Sequence, residues 1–197
     1  GDVALYKVSF SVSSSTAVGG ATTTKFGLYA FSDSGFSTPD SNFSGTNNPG
    51  GLLNSGFCFS GQNQTSIAPG GANLGAGSGL VEIYPDKAAT CNTATTSLIV
   101  PSGSSRWFKL VGSVGARSAA GTSENIQVQL EGDAAYPVNS ANLMQIASGV
   151  DADTNDDFVW SPVSTTTSNL VSDLDWTNGF GLVGLPSTNM TAETISK

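Results

Sequence analysis

Two apolar runs, Leu98-Ile99-Val100 and Trp107 to Val111, flank the short polar stretch Pro101-Ser102-Gly103-Ser104-Ser105. Proline fixes φ, glycine permits positive φ, and serine hydroxyls bond nearby backbone, so the stretch predicts a turn. Val, Ile, Trp and Phe suit a pleated, half-buried surface, so the arms predict a pair of antiparallel strands. On the second arm Phe108, Leu110 and Val114 share one face, and Lys109 and Ser113 share the other. This predicts a sheet with one dry and one wet face.

The same period of two recurs elsewhere. Residues 3–13 place Ala4, Tyr6, Val8, Phe10 and Val12 on one face, with Lys7, Ser9, Ser11 and Ser13 opposite. Shorter strands are expected at 25–31, 80–84 and 125–131, and further apolar runs follow at 158–160, 170–174 and 181–185. Residues 141–146 read as a helical turn or a short strand. No segment sustains an apolar period of 3.6. The fold class expected is all-β, an antiparallel β-sandwich of the Ig-like or jelly-roll-like kind with long Gly/Ser/Asn-rich loops. One domain over 1–197 is expected, with a loop insertion at 32–79 and a subdivision, if there is one, near 134–142. Within it Leu52, Leu53, Phe57 and Phe59 cluster, and short strands are expected at 51–59. The insertion reads equally as a binding or assembly surface and as a decorative loop.

Charged residues make up only 11% of the chain, while apolar residues reach 38% and fall in alternating segments. Disordered chains combine low hydrophobicity with dense charge, so a folded domain is expected. The net charge is −8, and the seven Lys and Arg residues are scattered. Nucleic acid and anionic lipid both require concentrated positive charge, so neither is an expected partner. No apolar run approaches the length of a membrane span, and membrane insertion is not expected. No signal peptide is visible, which reads as a mature form or a fragment if the protein is secreted. The two cysteines, Cys58 and Cys91, lie in polar loop sequence. They are expected to form a disulfide, which implies an oxidising compartment.

The chain has no histidine, which excludes a Ser-His-Asp or Cys-His nucleophile and any His-ligated metal. The glycines at 70–79 lack the lysine of a phosphate loop. Paired carboxylates remain as a catalytic chemistry, with Asp33, Asp40, Glu82, Glu124, Glu131, Asp151, Asp153, Asp156 and Asp157 available, but no spacing selects a pair. Asp151, Asp153, Asn155 and Asp157 alternate as loop ligands for calcium would. The helix-loop-helix calcium motif, however, would need glycine and glutamate where Asp156 and Pro162 stand. An acidic, solvated turn is the competing reading. Trp107, Trp160 and Trp176 would stack on sugars if exposed, and Asn42, Asn63 and Asn189 begin glycosylation acceptor patterns. A Lys–Asn isopeptide staple is not expected, because Lys7 falls on the polar face of its strand.

The stretch SLIVPSGSSRWFKLVGSV and the tail NDDFVWSPVSTTTSNLVSDLDWTNGFGLVGLP together resemble repeated extracellular β-sandwich modules of deduced bacterial cell-surface and surface-layer-type proteins, including those of small-genome candidate phyla. The resemblance covers roughly 97–186 and, more loosely, the first two strands. It implies a secreted, non-catalytic surface role and carries no active-site residues. The function expected is therefore a structural subunit of an extracellular filament or surface layer, with other copies of itself as partners and no obligatory cofactor. A carbohydrate-binding or adhesion module, with glycans as partners, is the alternative. The first strand begins close to the start of the chain, so Val3, Leu5, Tyr6, Val8, Phe10 and Val12 are candidates to pair with another subunit's open sheet edge. Pairing within its own domain is the competing expectation.

Overall fold

The computed structural model describes residues 1–14, 23–54, 77–87, 96–114, 125–138, 143, 155–164, 175–185, 187 and 190–196. Cys58, Cys91, Asp151 and Asp153 lie outside the described residues, as does the apolar run 170–174. The described chain is mostly antiparallel β-sheet, and its helix is confined to 3-10 turns at Ser41–Phe43 and Pro49–Gly51. The strands are β1 (Val3–Ser14), β2 (Thr23–Phe31), β3 (Gly77–Ile83), β4 (Leu98–Val100), β5 (Trp107–Val114), β6 (Asn125–Leu130), β7 (Phe158–Ser161) and β8 (Glu193–Ser196).

Strand β1 is the axis of a six-stranded sheet. On one side β4 pairs with residues 3–5 and β3 with residues 8–14. On the other side β7 pairs with residues 4–8 and β6 with residues 10–14. Strand β8 then extends the sheet beyond β6. Ala4, Leu5, Val8, Phe10 and Val12 each have a partner on both sides. The strand considered for exchange between subunits is thus paired along its length within its own chain. Strands on either side of 134–142 meet on β1 in one sheet.

The arms around Pro101–Ser105 do not pair with each other, contrary to the hairpin expected. Strand β4 pairs with β1, whereas β5 pairs with β2 in a separate two-stranded sheet. The intervening turn therefore carries the chain from one sheet to the other. Ser104 N–H donates to the Pro101 carbonyl, so the local turn forms as its residues require. Phe108 is 40% exposed, so the dry face expected on β5 is only partly dry. Residues 181–185 form turns instead of the apolar strand their composition suggests, and Glu193–Ser196 supplies a strand that the pattern did not announce.

Leu5, Val8 and Val12 of β1 pack in one apolar cluster with Phe26, Leu28 and Ala30 of β2, Val81 and Ile83 of β3, and Leu98 of β4. Ala4 and Tyr6 lie instead in a second cluster with Leu143, Val159 and Trp176. The cause is a register shift between Leu5 and Lys7 in the pairing of β1 with β7. An extra residue in a strand reverses which parity faces which side. The single apolar face read from Ala4 to Val12 therefore splits between two cores. Both faces of the sheet are covered around β1, so its lower face is not the wet one expected.

Segment 32–54, read as part of a loop insertion, contributes to the interior. Phe43, Leu52 and Leu53 are buried, and Leu53 N–H donates to the Leu28 carbonyl. Asn54 accepts from Leu28 N–H and donates to the Phe26 carbonyl, continuing the edge of β2 through its side-chain amide. Asn48 donates to the carbonyls of Leu52, Leu53 and Asp86. Buried backbone groups in an irregular segment need such partners, and asparagine supplies donor and acceptor together.

Candidate functional site

The side of β1 that was read as polar carries Lys7, which is 1% exposed. Its ammonium group lies 2.6 Å from Glu82 Oε1 on β3 and 2.9 Å from Asp156 Oδ2, just before β7. The Tyr84 ring lies 5.8 Å from Nζ, and Tyr6 packs edge-on against Tyr84 and tilted against Trp176. Burial works against a charged amine, but Tyr84, Asp156 and Glu82 together outweigh it, so the Lys7 pKa is raised above the usual lysine value. Lys7 keeps the side of Ser9, opposite Val8, as the alternation predicts, and the bulge at residues 5–7 brings Ala4 and Tyr6 of the second core onto that same side. Register shifts of this kind leave no mark in apolar periodicity, which is why the face that carries Lys7 and Ser9 was expected to be wet and is instead buried.

Beside Lys7 the acidic run packs into a second polar centre. Asp133 is fully buried and accepts from three backbone N–H groups: Asp157 at 2.9 Å, Phe158 at 3.2 Å and Gly179 at 2.8 Å. Burial raises its pKa, and these three donors oppose the shift. Asn178 donates to the carbonyls of Ala135 and Asn155, each at 2.7 Å, while its own carbonyl accepts from Trp160 Nε1. Asn155 Oδ1 accepts from Ala135 N–H. Three loops, 131–138, 155–158 and 178–185, are thereby stitched together. Gly179 sits in a tight space there, since a Cβ would stand 2.3 Å from Leu185 Cδ2, which would have to shift, and 3.1 Å from both Asp133 and Phe158.

These loops present an aromatic pair at the surface. The rings of Tyr136 and Phe180 meet edge-on with centroids 4.8 Å apart, and Tyr136 is 65% exposed. Val138 and Val183 on the same loops are also exposed. Neither aromatic was singled out by the sequence, because neither lies on an alternating strand. The tryptophans weighed as a sugar platform divide otherwise. Trp176 is buried in the second core and Trp160 is tied to Asn178, leaving Trp107 exposed on β5.

Of the calcium candidates, Asn155 and Asp157 are described, and both have other engagements. Asn155 holds Ala135, and Asp157 gives its N–H to Asp133 and its carbonyl to Ser9 N–H. Among the described residues no group of three or more Asp, Glu, Cys or His is arranged to hold a metal. The carboxylates brought together are Glu82, Asp133, Asp156 and Asp157, whereas Asp40 lies apart, pairing with Arg106 and capping the turn at Ser41–Phe43. Asn42, the first glycosylation candidate, is exposed on that turn.

Burial pushes the Asp157 carboxyl up to about 7; Lys7 and Ser9 draw it down, while the neighbouring charges of Asp133 and Asp156 add to the rise. The folded state therefore holds this proton at pH values where the unfolded chain has released it. Stability is expected to fall as pH rises from about 4 to about 7, and to level off above that. Asp157→Asn should flatten this slope and stabilise the protein at the alkaline end. Melting temperatures across the range check it, and a wild-type maximum above neutrality refutes it.

Comparison with protein-family models, with curated proteins and with solved structures finds no match to this chain.

Proposed function

We propose that the chain is a non-catalytic structural subunit of an extracellular assembly, a filament or surface layer, acting as a β-sandwich that self-associates through strand and loop contacts. The sandwich reading is supported by the first apolar cluster, to which both sheets contribute side chains. Export to the cell surface is the setting that fits the Ser/Thr/Gly-rich composition and the disulfide expected between Cys58 and Cys91.

The observation that carries the assembly reading is the outer strand β8. All four of its residues are exposed, and Ile195 is 72% exposed. It pairs with β6 on its inner side, so its outer side is the end of the described sheet. An edge with an exposed β-branched apolar residue is a template for pairing with another chain. This edge serves better than β1, whose two sides are already taken.

Purified protein followed by sedimentation and electron microscopy is expected to polymerise as concentration rises. Ile195→Lys places charge on the edge and should suppress polymers while changing fold stability by no more than about 0.5 kcal/mol. A wild-type protein that stays monomeric at every concentration overturns the reading. The Tyr136–Phe180 pair, in which Tyr136 is exposed, favours a second one, an adhesion module for glycans, since rigid aromatics stack on sugar faces. Retention of that monomer on polysaccharide, lost in Tyr136→Ala, would establish it.

A further inference from the structure

The Lys7 cluster has a geometry that an ion pair alone does not require. A primary amine, an acyl carbon and a proton carrier are enclosed together. Lys7 Nζ rests against the Asp156 carboxyl at 2.9 Å and against Glu82 at 2.6 Å, with the three side chains 2%, 8% and 16% exposed. Backbone pairing fixes all three. Ser9, two residues after Lys7, is the register partner of Glu82, and its N–H donates to the carbonyl of Asp157 at 2.8 Å. Tyr6, Tyr84 and Trp176 wall the site.

We propose that Lys7 and Asp156 condense into an intramolecular isopeptide bond, with Glu82 carrying the protons. Glu82 takes one proton from the Lys7 ammonium, and the freed lone pair on Nζ attacks Cγ of Asp156. The N–Cγ bond forms and one Cγ–O bond breaks. The departing oxygen leaves as water, with the two protons shed by nitrogen, both delivered through Glu82. One ammonium and one carboxylate become one amide and one water, and Glu82 ends as it began. No oxidant or co-reactant is needed.

Two physical terms favour the step. Fixed contact makes the attack unimolecular, the source of very large effective concentrations in pre-oriented pairs. Burying two ions costs desolvation energy that their attraction repays only in part, and condensation replaces both with a neutral amide. Asp156 is the better acyl partner because it is the more buried of the two acids and its short side chain is held beside β7. Glu82, longer and less buried, can exchange protons with solvent. The bond would join the central strand to a segment 149 positions later in the chain (156 minus 7), across the sheet's second face. The inference goes beyond the assembly reading and holds whether or not the chain polymerises.

The test is the intact mass of the purified, reduced and denatured full chain, followed by tryptic mapping. The expected mass is one water below that of the sequence, with cleavage after Lys7 lost and a branched peptide joining Lys7 to Asp156. Glu82→Gln and Asp156→Ala should each restore the full mass and cleavage after Lys7. A wild-type chain at full sequence mass overturns the proposal. So does a branch mapped to Glu82, or a water loss mapped to another residue. The wild-type measurement decides even where a variant fails to fold.

Discussion

Lys7→Ala is expected to destabilise the protein by about 3–5 kcal/mol, the usual cost of removing one partner from a buried ion pair. The substitution leaves Glu82 and Asp156 across the space the amine filled, with Asp156 in the interior beside Asp157. It also opens a void beneath Tyr84, whose ring the lysine now covers. Water entering that void would solvate the acids, which limits the loss to the lower part of the range. Absence of the proposed cross-link would act in the same direction. Lys7→Met combined with Glu82→Gln and Asp156→Asn should recover the part of the loss that comes from the unpaired acids and the void, since neutral groups of similar volume no longer need the cation. Denaturant midpoints of the two variants check this. A Lys7→Ala protein within about 1 kcal/mol of wild type would place the cluster in a hydrated setting, where exposed pairs contribute only that much.

What the sequence made legible follows from which interactions are local. Ile126, Val128 and Leu130 alternate with glutamines, and all three pack against the first core. Most other strands, from β1 to β7, coincide with apolar runs for the same reason. Pairing is a different matter, because it depends on partners far along the chain. The turn at Pro101–Ser105 has the chemistry of a hairpin loop, yet nothing in five residues states whether the two arms share a sheet. They do not, since β4 finds β1 and β5 finds β2. Strand β8 was invisible because all its residues are exposed, so it has no apolar period to detect. Phe43 was not read as core, and Leu52 and Leu53 were read only as an apolar cluster in an expected short strand, because their segment is irregular and held by Asn48 and Asn54 instead of by a ladder. The candidate site depended on the least legible feature of all, a single bulge. Shifting parity by one residue brought Ala4 and Tyr6 onto the side of Lys7, so the face expected to be wet encloses its ammonium.

Asp133→Ala is expected to cost about 3–5 kcal/mol, because each buried N–H left without an acceptor costs about 1–3 kcal/mol and three are involved. The donors belong to different segments, Asp157 and Phe158 at the start of β7 and Gly179 in the loop that carries Phe180. Their loss should therefore separate the loops and not merely weaken them. Asp133→Asn is the discriminating companion. Its remaining carbonyl can keep the two bonds that Oδ2 now accepts, from Phe158 and Gly179, while its amide faces the Asp157 N–H donor. The charge it removes is one that burial already disfavours. The net cost should be about 1 kcal/mol, the contribution of a single hydrogen bond. Thermal unfolding gives both numbers, and the exposure of Tyr136 to a tyrosine-modifying reagent reports the loop directly. Asp133→Ala should increase that reactivity through loss of the Phe180 contact, whereas Asp133→Asn should leave it near wild type. Equal costs for the two variants would mean that the carboxylate acts through its charge on Lys7, 126 positions earlier in the chain (133 minus 7), and not through the backbone groups it accepts from.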